Sequence, residues 1–220
     1  MKRPWTAAIA ICGMLLFCGV LHGATLYQVN LDTADLIGHP AGPFYLELAF
    51  VDGEGFGDGN NAATFSNFSF GGGTPLGSPV VFGDVTGSID TTLRLGDASF
   101  LSLFSQQFLP GLELSFRLAV TSNDDAGGIP DGLTLSILDN QGTRLPTLAP
   151  AADYFLGVAL GSAGAVFDSW GSDPNRSPST GNALSLPAPT VQAVPEPETA
   201  GLVGGLLVLL AAMGRRTRRE

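Results

Sequence analysis

The chain has 220 residues with ten basic and twenty acidic side chains, a formal charge of −10, and both of its cysteines, Cys12 and Cys18, stand in the first apolar segment. Six of the ten basic residues, Lys2, Arg3, Arg215, Arg216, Arg218 and Arg219, lie near the ends, which leaves residues 25–194 with four arginines against seventeen acids, a net of −13. So acidic a body repels phosphate backbones, which excludes nucleic acid as a partner; without cysteine it also excludes disulfides, thiol redox chemistry and thiolate metal sites.

Met1 to Ala24 reads as a signal peptide: Lys2 and Arg3 form the positive start, Ala7 to Leu21 the apolar stretch, and Gly23-Ala24 the small residues before cleavage by signal peptidase at Ala24. Cys18 is a weaker lipoprotein site, because Phe17 precedes it where a small residue is required.

From Leu26 the pattern turns to alternation, with Gly, Asn, Asp and Pro between short runs, which predicts strands. In Leu112 to Thr121, Leu112, Leu114, Phe116, Leu118 and Val120 fall on one face and Glu113, Ser115, Arg117, Ala119 and Thr121 on the other. Phe44 to Phe50 and Leu133 to Ile137 alternate in the same way, and Leu26 to Leu31, Val85 to Leu95, Ala98 to Phe104 and Tyr154 to Leu160 are further predicted strands. Thr64 to Phe70 breaks parity, with Phe65 on one face and Phe68 and Phe70 on the other, which calls for a bulge near Asn67. No stretch of the body carries a capped 3.6-residue period. The expectation is an all-β body over 25–170, an antiparallel jelly-roll-like β-sandwich. Residues 171–194, rich in Pro, Ser and Gly, are expected to form a flexible spacer in which only Asn182 to Leu186 suggests a strand.

Two loops carry the densest acid. Asp52, Glu54, Asp58 and Asn60 present carboxylate and amide oxygens among glycines, the donor type that Ca²⁺ takes, although the spacing is not that of an EF-hand. Asn123 to Gly132, with Asp124, Asp125 and Asp131, has the same character. For both, the leading expectation is a solvated connection between strands with no cofactor, and calcium is the alternative. His39, beside Pro40, is the one histidine of the body and reads as a turn residue, and no surrounding motif makes it a catalytic base. Two carboxylates at a suitable separation would serve a glycoside hydrolase, but most acids here sit in glycine-rich turns that account for them. Tyr45, Phe56, Tyr154 and Trp170 are the aromatics that carbohydrate binding would use if they stand outside the core.

The last 26 residues, 195–220, have an order of their own: Pro195-Glu196-Pro197, an apolar run from Ala200 to Met213, then Arg215, Arg216, Arg218 and Arg219. As a helix, 200–213 would measure about 21 Å against a hydrocarbon core of about 30 Å, short for a permanent span. The arginines would keep the C-terminus cytoplasmic and the body outside. This tail resembles the PEP-CTERM sorting signal of exported bacterial proteins. The resemblance implies processing by exosortase at or near Pro195, Glu196 and Pro197, transient residence in the inner membrane, and delivery to the surface or biofilm matrix of a Gram-negative bacterium. The body, with Leu31-Asp32-Thr33, Asp52-Gly53, Phe68-Ser69-Phe70-Gly71-Gly72-Gly73 and Pro130-Asp131-Gly132, is similar to a recurrent group of PEP-CTERM proteins whose bodies have no established activity. The functional expectation is a non-enzymatic surface or matrix structural protein. Its alternatives are a calcium-stabilised module that binds the host's exopolysaccharide and, third, a secreted hydrolase.

Overall fold

Strands form wherever apolar side chains recur at every second residue, because that period puts them all on one face of a pleated chain. The computed structural model of the protein describes residues 25–54, 57–123 and 128–195. Ala24 and the rest of the predicted signal peptide, Glu196 and Pro197, the apolar run 200–213, and Arg215, Arg216, Arg218 and Arg219 lie outside them.

Among the described residues twelve strands, numbered in chain order, make two six-stranded sheets. The first holds β1 (Thr25–Asp32), β3 (Ala62–Ser69), β5 (Val85–Gly87), β6 (Thr92–Gly96), β8 (Glu113–Val120) and β12 (Thr190–Ala193), in the order β12-β1-β8-β3-β6-β5. The second holds β2 (Phe44–Val51), β4 (Thr74–Phe82), β7 (Leu101–Leu109), β9 (Asp131–Leu138), β10 (Leu156–Gly161) and β11 (Gly164–Ser169), in the order β11-β10-β9-β2-β7-β4. Every pairing is antiparallel, and the one helical element among the described residues is a 3-10 turn, Ala34–Leu36. The body is therefore all-β, as its alternation predicts.

Both sheets bury their inner faces in one cluster, to which β8 contributes Leu114, Phe116, Leu118 and Val120, β2 Phe44, Leu46, Leu48 and Phe50, and β7 Phe104 and Phe108. Each such phenylalanine or leucine contributes about 1.5–3 kcal/mol by leaving water. The parity conflict in β3 is resolved by a bulge: Asn67 has a φ of 53°, and the register against β8 shifts between Ser66 and Ser69. Phe65, Phe68 and Phe116 then share the core, with ring centroids 5.1 to 6.1 Å apart.

Four departures from expectation have local causes. Leu112 is 66% exposed, because its N–H bonds Gly71 O in a turn and the strand begins only at Glu113. Val85 to Leu95 is two strands rather than one: Ser88 N donates to Thr92 O, and Gly87 at φ +85° admits the turn, where a Cβ would lie 1.9 Å from Thr92 O. β4 has no alternation, since Pro75, Gly77 and Pro79 interrupt it, and it is held by pairing with β7 across a register shift between Leu76 and Val80.

The fourth concerns 171–194, expected as a flexible spacer. Leu184 and Leu186 are buried, and Ser172 accepts the Leu186 N–H through Oγ while donating to Leu184 O. Thr190–Ala193 adds β12 to the edge of the first sheet beside β1. The expected strand at Asn182 to Leu186 thus falls a few residues too early. Two buried leucines, the bonds of Ser172 and Ser179 and the pairing of β12 dock a segment whose composition alone suggests a linker.

Register fixes two ends of the molecule. Thr25 lies opposite Val120, Val120 opposite Ala63, and Ala62 opposite Gly96, while in the other sheet Val51 lies opposite Leu101 and Gly132. This first pole gathers the described parts of the connections between strands: residues 52–54 and 57–61, 97–100, 121–123 and 128–130. Asp32 opposite Glu113, Phe44 opposite Phe108 and Tyr45 opposite Leu138 mark the second pole.

Candidate functional site

At the first pole the two acidic loops, separate in sequence, are joined. Gly53 N donates to Asp131 Oδ1 and Asn61 Nδ2 to Asp131 Oδ2, each at 2.8 Å. Asn61, 1% exposed, also receives the Asn123 N–H at 2.8 Å, donates to Asn123 O at 3.1 Å, and sends its own backbone N–H to Asp97 Oδ2 at 2.8 Å. One amide thus ties three connections together.

Of the four residues expected to bind calcium, Asp52 is buried and turns inward to its own loop: Oδ1 accepts the Glu54 N–H at 2.8 Å and Oδ2 the Gly57 N–H. Asp58 accepts both the backbone and side-chain N–H of Asn60. Among the described residues no group of three or more His, Cys, Asp or Glu is arranged to hold a metal ion. Asp52 and Asp131 place their oxygens against N–H donors, as carboxylates that organise turns do.

Asp97 is the residue that sequence reading missed here. It is fully buried, its Oδ1 has no hydrogen-bond partner, and its pKa is raised to about 6. Burial is the largest cause, opposed by the Asn61 N–H and reinforced by the charges of Asp131 and Asp58. A raised carboxyl pKa is also a feature of general acids, but a side chain with no exposure cannot touch a substrate. His39 is equally occupied: Ala41 N donates to Nδ1 at 3.2 Å, so Nε2 carries the proton and faces Asn182 O at 3.1 Å.

The outer face of the second sheet is different in kind. Tyr45 of β2 points outward between the buried Phe44 and Leu46, and Gln107 Nε2 donates to its hydroxyl at 3.2 Å. Two residues along the same face, Glu47 Oε1 accepts both Arg144 Nε at 3.0 Å and Nη2 at 2.7 Å. Tyr154 lays its ring over Gly157, where an added Cβ would be 2.9 Å from it. Trp170 is half-buried beyond the end of β11, bonded through its backbone N–H to Phe155 O. Phe56, the fourth aromatic singled out from sequence, lies outside the described residues.

Beside Tyr45 is a cavity of about 320 Å³, lined by Tyr45, Ser105, Leu138, Asn140, Gln141 and Gly142. Its wall, the connection after β9, is firmly held. Asp139 Oδ1 accepts the N–H groups of Gln141 and Thr143 at 3.0 and 2.9 Å, Asn140 N donates to Ala41 O at 2.8 Å, and Asn140 Nδ2 to Gly42 O at 3.0 Å.

The described chain begins and ends at the first pole. Val194 N donates to Leu26 O at 2.7 Å, so Thr25 and Pro195 leave the first sheet side by side, both exposed. No protein-family model, curated protein or solved structure matches the chain.

Proposed function

We propose that the protein is an exported, non-enzymatic component of the cell surface or biofilm matrix of a Gram-negative bacterium, delivered through signal peptidase and exosortase. The observation that carries this reading is the adjacency of the two exits, Thr25 and Pro195, at one end of one sheet. Cleavage at Ala24 and within Pro195, Glu196 and Pro197 would fall just outside the last strand hydrogen bonds, so both processing steps leave the body whole. While the tail is held in the inner membrane, the same geometry would keep the first pole toward the lipid and the second pole away from it.

The body we read as a jelly roll. The order β1-β8-β3-β6 in one sheet and β2-β7-β4 in the other is what two Greek keys wrapped over one core produce, and it supports a rigid module. The test is replacement of Pro195, Glu196 and Pro197 by alanine in the native host. The released wild-type protein should begin at Thr25 and end within the triplet by mass spectrometry, and the variant should stay cell-associated. Normal trimming and release of the variant would overturn the sorting reading.

A second reading, that the body binds the host's exopolysaccharide, is favoured by Tyr45 and Tyr154, which stand on the outer face of the second sheet while Phe44, Phe50, Phe104 and Phe108 fill the core beneath it.

A further inference from the structure

We propose that the cavity beside Tyr45 is a subsite for one ring of a neutral oligosaccharide. At about 320 Å³ it lies at the small end of the range for ligand pockets, roughly 300–1,000 Å³, which suits a single sugar ring with its neighbours extending along the open sheet face. Its six lining residues include one aromatic ring, one aliphatic side chain, a hydroxyl and two amides, and no charge. A pyranose has one face of C–H groups and an equatorial belt of hydroxyls. The first packs on an aromatic ring, and the second exchanges hydrogen bonds with groups that both donate and accept.

The donors and acceptors are set up for that exchange. The Tyr45 hydroxyl oxygen accepts from Gln107, which leaves its O–H to donate outward. Gln141 is exposed at the rim, and Ser105 stands on β7 opposite Glu47 of Tyr45's strand. The nearest carboxylate on the same face, Glu47, is engaged by Arg144 and so offers no bare charge. A body of net charge −13 repels uronate, sulfate and phosphate groups, which selects the neutral class. The wall is pre-organised by the bonds of Asp139 and Asn140, so little ordering is needed on binding. The cavity is at the second pole, away from both chain exits, and stays accessible while the tail is anchored.

This inference rests on the carbohydrate-binding reading and is independent of the sorting one. The test is calorimetric titration of the full chain, in a detergent without a sugar headgroup, with cellohexaose, xylohexaose, chitohexaose and hexagalacturonate. At least one neutral hexaose should bind with a Kd of about 10 μM to 1 mM, typical of a shallow single-ring site. Tyr45→Ala should weaken it at least tenfold, Gln141→Ala about three- to tenfold, and Tyr45→Phe no more than threefold, since the ring remains. Gln141 is an exposed loop residue, so its variant keeps the test valid even if Tyr45→Ala unfolds. Hexagalacturonate binding more tightly than every neutral hexaose overturns the ligand class. Binding that survives both Tyr45→Ala and Gln141→Ala but falls with Tyr154→Ala overturns this subsite and leaves carbohydrate binding standing. No heat from any hexaose at millimolar concentration overturns both, whatever happens to release from the cell.

Discussion

Asp97 at the first pole and Asp139 at the second are both fully buried carboxylates in connections that follow a strand, yet their surroundings act in opposite directions. Asp97 accepts the Asn61 N–H at Oδ2, has an Oδ1 with no partner and two acidic neighbours, and its pKa is raised to about 6. Asp139 is penalised by burial as well, but the N–H groups of Gln141, Thr143 and Ser179, with the Ser179 hydroxyl, outweigh that and hold its pKa below the ordinary value. Burial alone therefore does not decide the cost of a charge inside this protein. The number of donors aimed at it does. The second pole is built around a satisfied anion and the first around a strained one, and the cavity wall belongs to the pole whose anion is satisfied.

The sharpest way to break this comparison is Asp139→Ala. It would leave three backbone N–H groups without an acceptor and release both the cavity wall and the segment around Ser179, at a cost of about 3–5 kcal/mol. Urea unfolding at pH 7 measures this, and a loss under 1 kcal/mol would mean the second pole is held by its leucines instead. The pH dependence has a definite sign. Because the folded-state pKa of Asp139 is depressed, its contribution is full above the unfolded value of about 3.9 and is lost as pH falls through the folded value.

Asp97→Asn should do the reverse and stabilise by about 1–3 kcal/mol at pH 7 to 8. An amide oxygen still accepts from Asn61, and the substitution removes a buried charge that the charges of Asp131 and Asp58 disfavour. In the wild type the folded state holds the Asp97 proton more tightly than the unfolded state does. Stability from this group is thus complete below about pH 4 and lost as pH rises through about 6. Thermal unfolding from pH 4 to 8 should show that decline in the wild type and its flattening in the variant. Parallel curves would remove Asp97 from the account.

How far these differences were legible depends on their range along the chain. β2 and β8 declare themselves through side chains that alternate within eight residues, and the bulge at Asn67 through the parity of Phe65, Phe68 and Phe70. β4 hides behind Pro75, Gly77 and Pro79, because its pairing is dictated by β7, some thirty residues away. Asp97 stands between the predicted strands Val85 to Leu95 and Ala98 to Phe104, where nothing local marks it, and its partner Asn61 is 36 residues away. Tyr45 was visible as an outward aromatic, but nothing local announces that Asn140 and Gln141 close a cavity against it. Composition misled where 171–194 was concerned, since proline and serine describe the chain's flexibility when free and not what Leu184 and Leu186 do once a groove is offered.

The smallest effect should come from the ion pair beside the second pole. Arg144 reaches Glu47 through two N–H groups that share Oε1, with the arginine side chain 40% and the glutamate 12% exposed. Solvent screens a pair so placed, and holding a long side chain in one rotamer offsets part of the attraction, so Arg144→Met should cost no more than about 1 kcal/mol at low salt. The cost should shrink further in 0.5 M NaCl, where the Debye length is only about 4 Å. If Arg144→Met instead cost as much as Asp139→Ala and ignored salt, charge pairing rather than N–H donation would be what fixes the second pole. The contrast between Asp97 and Asp139 would then be a matter of nearby charge, and Glu47 left unpaired would compete with neutral ligands at the Tyr45 cavity.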